Sequence, residues 1–368
     1  MVQDTLKALQ SIAKYKRSLY DIPVIAVTGS VGKTSTKDII ANVLGQKYKV
    51  LKTEGNMNNH IGLPMTLLKL KDHTAVVVEM GMNHFGEISL LTNIAKPTGC
   101  VITNIGTSHI GNLGSRENIL KAKLEILEGL DKNGFVLINN DNDLLHEWAK
   151  KEKRYKIYTY GLENNSTYMA KKITTLENSS EFEINGIKGT VPIGGIHFVY
   201  NSVCAFAVGD ILNVEKEKII KGISKFKLTA KRMDIEIIQD NIKIINDSYN
   251  ASYDSMKAAL EVVNNTLAQR KIAILGDMLE LGEYAKELHE KVGEEVVKNK
   301  IDILITIGEN AKNIANKAKE LKMENVKSFN NIDEAIKNIK EIIKSGDLIL
   351  LKASNSMNFS KILNEIKA

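Results

Sequence analysis

The 368 residues carry 43% hydrophobic and 26% charged side chains, the balance of an ordinary globular chain with apolar material for two or three domains. That excludes a disordered chain. The formal charge of +6, from 50 Lys plus Arg against 44 Asp plus Glu, is spread along the sequence without a basic cluster interleaved with aromatics, so no nucleic-acid partner is expected. Cys100 and Cys204 sit in separate apolar runs, which gives neither a disulfide framework nor a metal-ligand spacing. No apolar stretch approaches the roughly 18 residues of a membrane span, and the N-terminus lacks a signal-peptide core. A soluble protein of a reducing cytoplasm is expected, working as a monomer.

Residues 1–20 predict one amphipathic helix with Leu6, Leu9, Ile12 and Ala13 on its apolar stripe. The apolar run Ile22–Val27 then ends in a glycine turn and is followed by helical periodicity over Ser35–Leu44. Strand-like runs at Ala75–Met80, Cys100–Ile105 and Phe135–Asn139 flank a long helix predicted over Glu117–Leu130. These runs do not alternate, as expected for strands of a parallel sheet covered on both faces. Between about 154 and 192 the pattern does alternate, at Tyr155–Tyr160, Glu181–Ile184 and Lys188–Pro192, and predicts hairpin-like decoration. Helices over Val199–Leu212 and Asn213–Phe226 close this part.

From 233 onward the α/β pattern restarts. A strand pair at 234–246 leads to helix 252–264, strand 271–275, helix 284–298 and strand 302–307. Helices 309–321 and 332–343 and strand 347–351 complete it. The expected organisation is an N-terminal helix and linker (1–22), a central domain with a mostly parallel sheet (23–226) and a C-terminal Rossmann-like α/β domain (227–368).

Thr28-Gly29-Ser30-Val31-Gly32-Lys33-Thr34-Ser35 joins a strand to a helix. Gly29 and Gly32 allow the backbone to wrap a phosphate, and the N–H groups through Ser30, Thr34 and Ser35 supply positive potential. Lys33 can reach β- and γ-phosphates and the Thr34 hydroxyl can ligate magnesium. Val27 stands where the standard motif has another glycine, so this is a shortened G-x-x-G-K-T form. A plain glycine turn would not require the Lys-Thr pair, and a P-loop ATP site is the reading adopted. Glu79 ends an apolar strand, where an unpaired carboxylate is costly, and this favours a functional role. His109 taken alone is a solvated loop histidine, Lys123 a surface lysine, and Asn58 and Asn59 turn formers.

The order of these segments changes that reading. Thr53 to Pro64, Val78-Glu79-Met80-Gly81, Asn104-Ile105-Gly106-Thr107-Ser108-His109 and Lys121 to Ile126 follow the phosphate loop, then Asp247 to Ala251 and Gly276 to Gly282. Together they resemble the Mur ligase family of ATP-dependent amide-forming enzymes of cell-wall precursor synthesis. The last two segments resemble the member that adds D-alanyl-D-alanine to a UDP-sugar tripeptide. The resemblance implies ATP, two magnesium ions and an acyl phosphate intermediate. It assigns Thr34, Glu79, His109 and a carbamylated Lys123 to the metals, and Asn58 and Asn59 to the neighbourhood of the transferred phosphate and the substrate. It adds Asn201, Arg232, Asp247, Tyr249 and Asn250 as nucleotide contacts. A helix N-cap remains an alternative for Asn201, a solvated linker for Arg232 and a turn for Asp247.

Two departures accompany it. The chain starts where the family's N-terminal UDP-sugar-gripping domain would end, so a fragment, another substrate or a protein that works with help is expected. Lys352-Ala353-Ser354-Asn355 has Asn355 where the family pattern carries an arginine, and Phe198 follows His197 where the pattern has Asn. The alternatives are a related carboxylate–amine ligase with a non-UDP substrate and a P-loop ATP-binding module without ligation.

Overall fold

The computed structural model describes residues 1–228 and 232–367 and divides into two α/β units. The first comprises Met1–Gly106 and Leu113–Lys227, and the second Thr107–Asn112 and Leu228–Ala368.

In chain order the first unit opens with α1 (Thr5–Ser18), β1 (Val24–Thr28), α2 (Lys33–Leu44), β2 (Val50–Lys52), α3 (Gly62–Leu68) and β3 (Ala75–Glu79). Next come α4 (Glu87–Ala95) and β4 (Gly99–Ile102), then, after the short α5 (Ile110–Leu113) that falls to the second unit up to Asn112, α6 (Arg116–Leu124), β5 (Phe135–Asn139) and α7 (Asp143–Lys151). Four strands, β6 (Lys156–Gly161), β7 (Tyr168–Thr175), β8 (Ser180–Ile184) and β9 (Ile187–Val191), precede α8 (Ile196–Ile211) and α9 (Lys216–Ser224). The nine-stranded sheet runs β2-β3-β1-β4-β5-β6-β7-β8-β9. Pairing is parallel from β2 through β7 and antiparallel through β8 and β9.

β1 lies between β3 and β4 with all five residues buried, so the strand order reverses around it. That reversal opens a crevice at the carboxyl ends of the strands, where α/β sheets bind ligands. α1 belongs to this unit. Its buried Arg17 donates from Nε to the Ala95 carbonyl at 2.9 Å, from Nη2 to Lys96 at 3.1 Å and from Nη1 to Tyr20 at 2.6 Å. These carbonyls include the free end of α4, which a cation satisfies well.

Two sequence expectations are corrected here. Lys156–Gly161 is no hairpin strand: it pairs parallel with β5 and extends the main sheet. Its alternation arises because its N-terminal part is only half-covered. The long helix expected over 117–130 stops at Leu124 and tightens into a 3-10 turn over Glu125–Gly129. There the Glu125 carboxylate accepts from Gly86 and Ser89 N–H at the start of α4, and Gly129 sits so close to Thr92 that a Cβ would meet its carbonyl at 2.2 Å.

The second unit contains β10 (Asp234–Ile237), β11 (Lys243–Asn246), α10 (Tyr253–Asn265), β12 (Arg270–Gly276), α11 (Ala285–Lys298) and β13 (Ile303–Ile307). It ends with α12 (Lys312–Glu320), β14 (Val326–Phe329), α13 (Ile332–Ile342), β15 (Asp347–Lys352) and α14 (Ser360–Lys367). Its sheet order is β10-β11-β15-β12-β13-β14, parallel except for the β10–β11 pair. One face buries Ile244, Ile274, Ile305 and Ile349 against Ile339 and Ile362. The Rossmann-like expectation fits this doubly covered parallel sheet.

Arg17→Ala leaves three carbonyls without their charged donor. Hydrogen bonds to charged groups contribute about 1.5–3 kcal/mol each, less relaxation and solvation of the freed partners, so a loss of about 3 kcal/mol is expected in urea unfolding followed at the first unit.

Candidate active site

Gly29 adopts φ +151° and Gly32 φ +83°, and a Cβ on Gly29 would come 1.9 Å from Thr103 Oγ1. Only glycine meets both demands at position 29. Gly32 then caps the N-terminus of α2, and Lys33, Thr34 and Ser35 form its first turn. An anion placed there meets the positive end of the helix dipole. Lys33 Nζ folds back onto the Gly29 and Ser30 carbonyls at 2.8 and 3.2 Å, so its ammonium stays at the loop.

Parallel pairing sets Val27 of β1 opposite Glu79 of β3. The strand end therefore delivers the Glu79 carboxylate beside the first turn of α2, where Thr34 Oγ1 donates to Glu79 Oε2 at 2.8 Å. Asn58 Nδ2 donates to the other oxygen, Oε1, at 2.8 Å. Both Thr34 and Glu79 are buried. Asn59 turns away from this pair, its Oδ1 accepting from the Ile61 and Gly62 N–H groups at the start of α3. Asn201 lies inside α8 and not at its N-terminus, which removes the N-cap alternative. Its Oδ1 accepts from Thr36 Oγ1 at 3.0 Å and lies 3.4 Å from where a Gly32 Cβ would stand.

Lys123 is buried in α6, 2% exposed, with neither a carboxylate nor a hydrogen-bond acceptor among the described residues. Burial pushes its pKa well below the usual lysine value, and the nearby Lys33 ammonium pushes it the same way. A neutral amine at the end of a buried side chain is a nucleophile.

In the second unit Arg232, Asp247, Tyr249 and Asn250 gather where β11 and β15 end. The Arg232 guanidinium stands 3.9 Å from the Tyr249 ring centroid. Asp247 accepts from Met233 N–H at 3.1 Å through Oδ1 and pairs through Oδ2 with the buried Lys352 ammonium, which also reaches the Asn250 carbonyl at 3.1 Å. Asn250 Oδ1 closes on Ala251 N–H at 2.9 Å. Lys231, which opens the Arg232 motif, is outside the described residues.

His109 also groups with the second unit, and its Nδ1 lies 2.6 Å from Glu280 Oε2. Thr107 donates from its N–H and its hydroxyl to Asp254 Oδ2 at 2.8 and 2.9 Å. The Gly276 to Gly282 segment is held by His289, whose Nε2 accepts from Met278 N–H at 3.0 Å while Nδ1 faces the Ala285 carbonyl. Burial lowers the His289 pKa, in keeping with a neutral ring that can accept at Nε2.

Sequence reasoning passed over Thr103 and His289, and it quoted Asn104 and Lys352 only as members of motifs. Asn104 opens a motif from which only His109 was singled out; the structure ends β4 at Ile102, inside the strand-like run expected over Cys100–Ile105, and leaves Asn104 in the loop that follows. Among the described residues no three His, Cys, Asp or Glu side chains cluster as a metal cage, and no helix is long and apolar enough to cross a membrane.

These features define a two-unit α/β protein with a P-loop at its sheet switch point and a Rossmann-like second unit. Residues 27–209 match the Mur ligase middle domain and residues 231–355 the Mur ligase glutamate ligase domain. The UDP-N-acetylmuramoyl-tripeptide–D-alanyl-D-alanine ligase of Bacillus subtilis strain 168 is 40% identical over 371 residues, covering 100% of this chain and 80% of that protein. A crystal structure of MurF from Acinetobacter baumannii superposes with a TM-score of 0.93 at 29% identity, over 100% of this chain and 81% of that one. MurF ligase from Thermotoga maritima, solved in complex with ADP, gives 0.88 at 28% identity over 100% and 84%. The chain belongs to the Mur ligase family, and it is a ligase.

Because Lys123 binds a proton more weakly folded than unfolded, the unfolded state holds more protons between its depressed pKa and 10.5. Stability attributable to this residue therefore rises with pH through that window, by at most about 1.4 kcal/mol per pH unit. Lys123→Met removes the titration. Urea unfolding in carbon-dioxide-free buffer is expected to show the wild type gaining on Lys123→Met as pH rises, and parallel pH profiles would refute a depressed pKa.

Proposed function

We propose that the chain joins D-alanyl-D-alanine to UDP-N-acetylmuramoyl-tripeptide at the expense of ATP. The observation that carries this reading is the Lys33–Thr34–Glu79–Asn58 arrangement at a helix N-terminus, in a chain 40% identical over its length to the Bacillus subtilis ligase of that name.

An oxygen of the peptide carboxylate attacks the γ-phosphorus, the bond from that phosphorus to the β–γ bridging oxygen breaks, and ADP leaves. The amine of the dipeptide then attacks the acyl carbon, passes through a tetrahedral intermediate, expels inorganic phosphate and gives up a proton. The first barrier is anion meeting anion, so positive charge at the phosphates is the main requirement. Lys33 and the N–H groups of the first turn of α2 supply it. Thr34 and Glu79 are hard oxygen donors held side by side, which suits magnesium, an ion that takes few protein ligands beside phosphates and water. That ion would screen the phosphate charge and polarise the γ-phosphoryl group. Asn58 keeps Glu79 from rotating away.

Lys123 supports a carbamate. Its neutral amine adds to carbon dioxide, one N–H proton leaves to solvent, and the resulting anion presents two oxygen donors whose charge a bound cation would balance. That carbamate would offer its oxygens to a second magnesium, an ion to which the family resemblance separately assigns His109. Arg232 stacked on Tyr249, with Asp247, Asn250 and Asn201, serves the nucleotide, and the Asn58–Asn59 segment serves the substrate. The free cysteines Cys100 and Cys204 are buried, which fits a reducing cytoplasm, and the monomer is the proposed working unit.

Mass-spectrometric ligation with ATP, magnesium, the UDP-sugar tripeptide and D-alanyl-D-alanine tests the proposal, each component being omitted in turn. A pentapeptide product dependent on all four is expected. ATP binding without any product would favour a non-ligating P-loop module, and product without the UDP moiety a different carboxylate substrate. Lys33→Ala is expected to lower ADP formation by at least a hundredfold. Lys123→Ala is expected to lose turnover and regain part of it with short carboxylic acids, and no recovery would refute the carbamate.

A further inference from the structure

We infer that Asn104 is a positioning residue for the nucleotide, the external brace that holds the shortened phosphate loop in its phosphate-ready shape. The proposal rests on the reading of residues 28–35 as an ATP site and adds to it the residue that keeps the site formed.

A loop one glycine short of the standard motif has fewer residues with which to fold over itself, and among the described contacts its middle is held from outside. Asn104 Oδ1 accepts from both Ser30 N–H, at 3.0 Å, and Val31 N–H, at 2.9 Å. The Asn104 carbonyl shares the Ser30 N–H at 3.1 Å. The neighbours of Asn104 complete the grip: Thr103 Oγ1 donates to the Val31 carbonyl at 2.7 Å, and Gly106 N–H donates to Ser30 Oγ at 2.9 Å. Thus one segment just past β4 satisfies both polar backbone groups of Val31 and the N–H and hydroxyl of Ser30. The parallel register Thr28↔Ile102 brings the segment there, because each strand continues into its loop at the same height.

The brace has a consequence for how phosphate is held. Two N–H groups that a longer loop would aim at phosphate oxygens are occupied by an amide oxygen. The anion would then face the start of α2, from Gly32 through Ser35. A neutral amide oxygen suits this place, since it satisfies both donors without adding negative charge beside a triphosphate.

The test uses the full chain and three variants, Asn104→Ala, Asn104→Asp and Lys33→Ala, with amide hydrogen exchange of the loop peptide without ligand and ATP affinity by calorimetry. Asn104→Ala is expected to speed exchange in residues 29–34 at least tenfold, leave peptides from β5 and α7 unchanged, and weaken ATP at least tenfold. Asn104→Asp retains both acceptors, so loop protection should return to within threefold of wild type, while its charge keeps ATP at least tenfold weaker. Wild-type exchange in Asn104→Ala, or ATP affinity within twofold of wild type in both Asn104 variants, would overturn the proposal. If Asn104→Ala fails to fold, Asn104→Asp decides alone: a protected loop with weakened ATP supports it, and an unprotected loop or unchanged ATP refutes it. Lys33→Ala separates the two readings. Its ATP affinity staying at the wild-type value would refute the nucleotide site itself, whereas its loss beside an insensitive Asn104 would refute only the brace.

Discussion

The active-site arrangement depends on a constraint of parallel sheets: neighbouring strands finish at the same edge. With β1 between β3 and β4, the loops following all three strands meet at one place. β1 contributes the glycine loop and the start of α2, β3 contributes Glu79, and β4 contributes the segment from Thr103 to Gly106. No loop has to travel to reach the others. The 2.8 Å contact of Thr34 with Glu79 is thus a product of register, and shifting β3 by one residue would turn the carboxylate to the opposite face of the sheet.

Three buried lysines show how differently the fold treats similar charges. Lys37 reaches the Thr53 carbonyl at 2.8 Å and lies 3.2 Å from Asp38, and Lys352 pairs with Asp247 and reaches the Asn250 carbonyl. Burying an ammonium with such partners is tolerable because the lost hydration is replaced. Lys123 is as buried and has no such partner among the described residues, so its cheapest form is the neutral amine.

Much of this was legible in the sequence, and the remainder was hidden for definite reasons. The buried strands β1, β3, β4 and β5 announce themselves as short apolar runs, and the Gly-Lys-Thr turn between β1 and α2 carries its own chemistry. α3 was not read because Gly62 and Pro64 occupy its first turn, where proline is tolerated but the pattern looks like a loop. β2, three residues long, offers no periodicity. Lys156–Gly161 alternates because of partial exposure, which is how a hairpin strand also looks, so pairing direction could not be read from it.

Side-chain partners were the least legible part. Asn58 and Asn59 are adjacent and chemically identical, yet one orients a carboxylate and the other satisfies backbone N–H groups at the start of a helix. The difference is which way each points from a tight turn, and that is decided by α3 docking after them. The same holds for Lys123, whose helix carries Lys121 exposed two residues away; only burial of one helical face separates a solvated lysine from a desolvated one. Sequence motifs thus identify which residue types meet in the site, while the packed sheet and the helices beside it determine the electrical environment in which each of them works.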